Sequence, residues 1–170
     1  MAMSEHLIYT IGHSDHSVEE FVALLQKHGV TSVLDVRSQP YSRWAHQFNR
    51  EALTRDLEAA GVAYHFLGDA LGGRPADPAL YDAGDGPPDY RRLEQTETYQ
   101  AGIARLLDLA RAERVAVMCG EGEHRHCHRH LLIAQTLLER GLRVLHIQPD
   151  GCVVEGERVA RQLDFWGGLA

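Results

Sequence analysis

Val115-Ala116-Val117-Met118-Cys119-Gly120-Glu121-Gly122-Glu123-His124-Arg125-His126-Cys127-His128-Arg129-His130 runs from an apolar stretch through a polar, glycine-punctuated turn toward Leu131-Leu132-Ile133. Apolar residues 115–118, bounded by turn signals, read as a buried strand. The run over 127–140, closed by Gly141, reads as a helix. Strand, short turn and helix in that order make one limb of a βαβ unit, and the rest of the chain repeats the alternation.

Upstream, residues 7–11 read as the first strand. A helix follows, with Ser17 as N-cap, Glu20 completing a capping box, Val18, Phe21, Val22 and Leu25 as its core stripe and Gly29 as its stop. Residues 32–36 form the second strand, Asn49 caps a helix carrying Leu53, Leu57 and Ala60 up to Gly61, and residues 63–67 form the third strand. Glycines and prolines break up residues 68–92, and a long irregular loop of this kind in a compact domain is usually a lid or binding loop. Near Thr96 a helical stripe resumes with Tyr99, Ile103, Leu106, Leu107 and Ala110. Beyond the quoted segment come a fifth strand at 143–147, a turn or hairpin at 149–157, and a tail with Phe165 and Trp166.

Strands joined through single helices run parallel when each crossover is right-handed. The expected architecture is one Rossmann-like α/β domain over residues 1–170, a five-stranded mainly parallel sheet with helices on both faces and strand order 3-2-1-4-5. That order sets strands one and four side by side, so that their outgoing loops, 12–14 and 119–126, diverge and open a crevice of the kind in which such folds bind ligands.

The 170 residues are 44% hydrophobic and 24% charged, ordinary globular values that exclude disorder as the starting assumption. A net charge of −7 counts against a protein that coats phosphate backbones, leaving only a local basic groove for a strand. Three cysteines, an odd number, give no disulfide framework and read as reduced thiols. Residues 1–5 lack a signal-peptide pattern, and no apolar run approaches the roughly 20 residues of a membrane span. The expectation is a cytoplasmic protein with no membrane partner.

The chemistry concentrates after the fourth strand. Cys127, His128 and Arg129 fall in the first turn of the following helix, where free N–H groups and the dipole favour an anion. A cysteine there, among cationic groups, becomes a usable thiolate, and the planar fork of Arg129 suits a carboxylate or phosphate. Glu121 is a general-base candidate or an arginine partner. Cys119-x5-Arg125 formally matches the phosphate loop of cysteine phosphatases, but Glu121 and Glu123 inside the cradle would repel the substrate. Cys119, Cys127, His128 and His13 have the ligand types for a transition metal or haem, although no C-x2-C pair accompanies them. The bland alternative makes Cys119 a small buried strand end and the histidines solvated loop.

Elsewhere, Gly12, His13 and Ser14 leave strand one toward the same edge, with His13 as a base, metal ligand or phosphate donor. Asp35 and Arg37 are expected on opposite faces of strand two, Arg37 contacting the ligand and Asp35 orienting a neighbour or closing a buried ion pair. Arg74, beside Gly72 and Gly73, reaches a bound phosphate if the long loop closes. Tyr41, Arg43, Trp44, His46, Phe48 and Arg50 interleave basic and aromatic groups, which suits single-stranded nucleic acid and equally an amphipathic loop packed on the sheet. Arg91 and Arg92 read as surface, and Cys152 as structural.

Several of these segments together resemble the domain of unknown function 488 family. The resemblance is carried by Cys119 and Glu121, by Cys127-His128-Arg129, by Thr10-Ile11-Gly12-His13-Ser14, by Asp35-Val36-Arg37 with Pro40 and Ser42, and by Leu67-Gly68 with Leu71-Gly72-Gly73. It covers the chain from Ile8 to about Ile147 and implies a compact α/β fold without implying an activity. The spacer 122–126, rich in histidine and glycine, departs from the family pattern.

These readings converge on a thiol- or acid/base-dependent hydrolase or transferase acting on a small anionic ligand, a nucleotide or nucleic-acid fragment being the leading class. Arg37, Arg129 and the helix N-terminus hold the anion, Cys119 or Cys127 is the reactive thiol, and Glu121 and His13 are the acid–base candidates. A metal- or haem-binding protein and a nucleic-acid-binding module are the alternatives.

Overall fold

Short runs of strand length become the strands of one sheet in the computed structural model, which describes residues 6–160. In chain order these are β1 (Leu7–Gly12), β2 (Ser32–Asp35), β3 (Ala63–Phe66), β4 (Val115–Cys119), β5 (Arg143–Ile147) and β6 (Val153–Glu155). Among the described residues the order is β3-β2-β4-β1-β5-β6, with every pairing parallel except β5 with β6. The α/β class and parallel sheet are as the sequence implies, and the expected hairpin at 149–157 supplies a sixth strand. The order corrects the expected 3-2-1-4-5. Strands β1 and β4 are neighbours, but β4 lies between β1 and β2. All five residues of β4 are buried, which suits a strand flanked on both sides.

Helices α1 (Val18–Lys27) and α2 (Arg50–Ala59) cover one face, packing Phe21, Leu25, Leu53 and Leu57 onto Tyr9, Ile11, Val33, Ala116 and Met118. On the other face, Tyr99, Ile103 and Leu106 of α5 (Glu97–Ala112) and Leu132, Ile133 and Leu137 beyond β4 pack onto Ile8, Leu34, Val115, Val117 and Val144. The period-2 alternation along β4 thus divides one strand between two cores.

Local signals mostly hold. Ser17 and Glu20 form the capping box of α1, and Thr96 caps α5 by accepting from the Tyr99 N–H. Asn49 does not cap α2 with its side chain. Its Oδ1 instead accepts from the Ser42 N–H at 2.7 Å, tying down the loop after β2. The helix expected over 127–140 is not regular: Arg129–Ala134 is a π-helical stretch, and α6 proper is Gln135–Glu139. Wide turns of this type are frequent at functional sites. The 68–92 segment includes two short helices, α3 (Gly68–Leu71) and the start of α4 (Tyr90–Glu94), with a 3-10 turn at Pro78–Leu80 in the otherwise irregular chain between. No helix among the described residues is long and apolar enough to cross a membrane. The expectations about residues 1–5 and the Phe165–Trp166 tail lie outside the described residues.

Candidate functional site

Putting β4 between β1 and β2 creates two places where outgoing loops diverge. At the β1–β4 edge, where the sequence suggested a crevice, the gap is closed. The His13 N–H donates to the Cys119 carbonyl at 2.9 Å and the Ser14 N–H to the Gly120 carbonyl at 3.1 Å. A Cβ on Gly12 would collide with the Glu121 carbonyl, so only glycine permits this approach. Ser14 takes a left-handed φ of 49°, an uncommon conformation for a serine, as the chain turns away. At the β2–β4 edge the loops stay apart and leave a cleft of about 540 Å³. Its walls are Arg37, Ser38 and Gln39 after β2, Gly73, Arg74, Pro87 and Tyr90 from the 68–92 segment, and Glu121, His126, Cys127 and His128 after β4. The long loop therefore lines this cleft.

The sulfurs of Cys119 and Cys127 lie 2.7 Å apart, as free thiols, beneath this cleft. Cys127 is on the cleft wall and 4% exposed, whereas Cys119 is 2% exposed and lies behind it among the apolar residues facing α5. The Arg129 Nε donates to the Cys119 sulfur at 3.1 Å. Arg129 is wholly buried, and its remaining donors reach the Thr10 hydroxyl at 2.6 Å and the Glu121 and Gly122 carbonyls at 3.0 and 3.2 Å. None of these partners is a carboxylate. A buried guanidinium needs a counter-charge, and among its hydrogen-bond partners only the Cys119 sulfur can ionise to supply one. Burial pushes the Cys119 thiol up, but the hydrogen bond from Cys127 and the Arg129 charge outweigh it and bring it down to about 7. The hydrogen bond to Cys119, burial and the adjoining negative charge push Cys127 up. Above about pH 7 the pair thus holds one proton and one negative charge.

His128 completes the thiol's surroundings. Its Nε2 lies 3.0 Å from the Val36 carbonyl and must donate to it, which leaves the Nδ1 lone pair free, 3.6 Å from the Cys127 sulfur. Burial holds its pKa below the usual histidine value, keeping the ring neutral. Gly73 lets the loop pass over it, since a Cβ there would stand 2.8 Å from the ring.

The other predicted residues divide by face. Asp35 and Arg37 do not point oppositely. Residues two apart on a strand share a side, and Arg37 donates from Nε and Nη2 to both Asp35 oxygens at 2.9 and 2.7 Å. The Arg37 backbone N–H adds a third bond to that carboxylate at 3.1 Å, and the Tyr64 hydroxyl a fourth at 2.6 Å. His13 stacks on Phe48 with centroids 4.5 Å apart, in the cluster under α1 and α2, and burial lowers its pKa. Its backbone meets Cys119, but its ring lies on the opposite core from the thiol pair. Glu121 is exposed at the cleft. Arg74 is exposed there too, with its Nη1 3.2 Å from the Gly86 carbonyl. Arg125 does not form a phosphate cradle with Cys119: it is exposed and 3.9 Å from Glu123. Among the described residues no group of three or more His, Cys, Asp or Glu side chains is arranged to hold a metal ion, so Cys119, Cys127, His128 and His13 do not form such a set. In the 41–50 stretch Trp44 is 90% exposed and Tyr41 56%, while Phe48 is core and Arg50 lies over the Phe66 ring at 4.4 Å.

Sequence reasoning missed Thr10 as more than a motif residue, and missed His130 and His146 altogether. Thr10 accepts from Arg129 and so turns its own proton toward His146 Nδ1; His146 Nε2 then donates to His130 Nδ1 at 3.1 Å. His124 stacks on His146 with centroids 4.1 Å apart. All three imidazoles are buried, and burial lowers every one, His124 to about 4 and His146 to about 2. A polar residue recurring inside an apolar strand, Thr10 in β1 and His146 in β5, was the available signal.

The family model described as Domain of unknown function DUF488 matches residues 17–136, well over half of the chain. The chain belongs to this family. Comparison with curated proteins and with solved structures gave no match. The DUF488 span contains every segment that walls the cleft, from Arg37 through the 68–92 loop to His128. Thr10 and His146, which back Arg129 from β1 and β5, lie outside it.

Proposed function

We propose that the protein is an enzyme that presents Cys127 as a thiol nucleophile to a small anionic ligand held in the β2–β4 cleft. The observation that carries this reading is the position of Cys127, on the wall of a cleft of about 540 Å³, in contact with a sulfur whose charge is held by Arg129. That volume is in the range of small-ligand sites. Arg74 supplies positive charge along the opposite wall, matching a carboxylate or the phosphate of a nucleotide-derived ligand, while the Arg37 charge is already paired with Asp35. As Cys127 attacks an electrophilic atom, its proton passes to Cys119, already hydrogen-bonded to it, or to His128 Nδ1. Glu121, exposed at the mouth, is placed to exchange protons with the leaving group. Arg129 holds the thiol pair and the 121–122 backbone rather than the ligand.

Competitive alkylation tests the reading in protein carrying Cys152→Ser, which removes the exposed thiol. Cys127 is expected to react with iodoacetate faster, relative to neutral iodoacetamide, than a free small thiol does. Arg74→Ala is expected to lower that preference by about 2- to 5-fold, as for removal of one exposed charge interaction. A Cys127 that reacts with neither reagent in folded protein, or shows no anion preference sensitive to Arg74, defeats it.

A further inference from the structure

We infer that Cys119 and Cys127 form a dithiol–disulfide couple that exchanges with small disulfides carrying carboxylates, bound in the cleft against Arg74. This rests on the reading above, in which Cys127 is the thiol offered to an anion-bearing ligand, and it gives Cys119 its role. The two sulfurs touch at 2.7 Å, yet one lines the cleft and the other lies behind it. Such a pair has one sulfur that an incoming molecule can reach and a second that only the first can reach. The second is also the sulfur that Arg129 holds ready as a nucleophile.

The steps balance with no further reagent. As Cys127 Sγ attacks one sulfur of RS–SR its proton passes to Cys119, the RS–SR bond breaks, and the departing RS⁻ takes that proton from Cys119 and leaves as RSH. The Cys119 thiolate then attacks Cys127 Sγ. The Cys119–Cys127 bond forms, the mixed-disulfide bond breaks, and the second RS⁻ takes a proton from solvent. Two electrons pass from the protein dithiol to the small disulfide, which leaves as two thiols.

Arg129 sets the direction in which the couple leans. In the disulfide neither sulfur carries charge, so the buried guanidinium keeps only the neutral Thr10, Glu121 and Gly122 oxygens as partners. The dithiol form is stabilised relative to the disulfide, which makes the disulfide a ready electron acceptor that small thiols return to the reduced state. The pair therefore stays reduced in thiol-rich mixtures and closes only when small disulfide is in excess.

Cys152→Ser protein equilibrated with defined mixtures of reduced and oxidised glutathione, quenched in acid, unfolded and alkylated, gives the count of free thiols by intact mass. The expected result is two alkylated thiols in reduced glutathione and none in oxidised glutathione, with a disulfide-linked peptide pair joining Cys119 and Cys127. On the same background, Cys119→Ser is expected to accumulate glutathione on Cys127, and Cys127→Ser to take up none. Two free thiols at every ratio, with glutathione still captured by Cys127 in Cys119→Ser, overturn the couple and leave the cleft reading standing. No uptake on Cys127 in any variant, together with failure of the alkylation test, overturns both. The unmutated pair decides the question even if Cys119→Ser fails to fold.

Discussion

Lowering the pH from 7 to 5 is expected to remove about 4 kcal/mol of folding stability through two buried histidines alone. His146 and His124 are 0% and 4% exposed, and burial brings their folded pKa values to about 2 and about 4, well below the 6.5 of an ordinary histidine. Between those limits the unfolded chain binds protons that the folded protein refuses. Their contribution is complete above pH 6.5 and shrinks as the pH falls. Each pH unit below 6.5 is worth about 1.4 kcal/mol per group until its folded pKa is reached. At pH 5 each histidine has therefore lost about 2 kcal/mol. His130, His128 and His13 shift the same way and can only add to the loss. Urea unfolding followed by far-ultraviolet circular dichroism at the two pH values measures the difference. A loss below about 2 kcal/mol, or an unchanged loss in His146→Gln, would show that these imidazoles are not held neutral in the core.

Arg129→Met removes the charge that holds the Cys119 thiolate. Thiolate ultraviolet absorbance, titrating near pH 7 in the native protein, is expected to move up by about 1–3 units, and an unmoved titration would disconnect the arginine from the thiol. Gly12→Ala drives a Cβ into the Glu121 carbonyl and is expected to cost about 3 kcal/mol by chemical denaturation, whereas Gly86→Ala, with open space around it, stays within about 0.5 kcal/mol. Tyr64→Phe removes one of the bonds to Asp35 and is expected to cost about 1 kcal/mol, as the three bonds from Arg37 remain; a loss several times larger would mean that the phenol holds the ion pair together. Trp44→Ala, at an exposed position, is expected to leave stability within about 0.5 kcal/mol in the same assay.

Much of the site was legible because its residue types are rare in combination. Cys119, Glu121, Cys127, His128 and Arg129 stand close in sequence and stay close in space, since a strand end and the helix after it cannot separate far. Their division of labour was not legible. Arg129 read as a ligand contact and is an internal strut, because burial depends on what packs over a residue. Asp35 and Arg37 show a different failing: the two-residue period of a strand already placed them on one face, as the structure does.

The sequence by itself determined the elements: apolar runs of strand length, capped amphipathic helices between them, and hence an α/β protein with a parallel sheet. These follow from local periodicity and capping, which neighbouring residues decide among themselves. Only the tertiary structure decided where β4 inserts. Any of the buried, nearly featureless strands satisfies a parallel ladder with any other, so the pairing follows from how both helical layers pack at once. That choice closed the gap between β1 and β4, opened the cleft beside β2, and set one cysteine at the surface of the cleft with the other behind it.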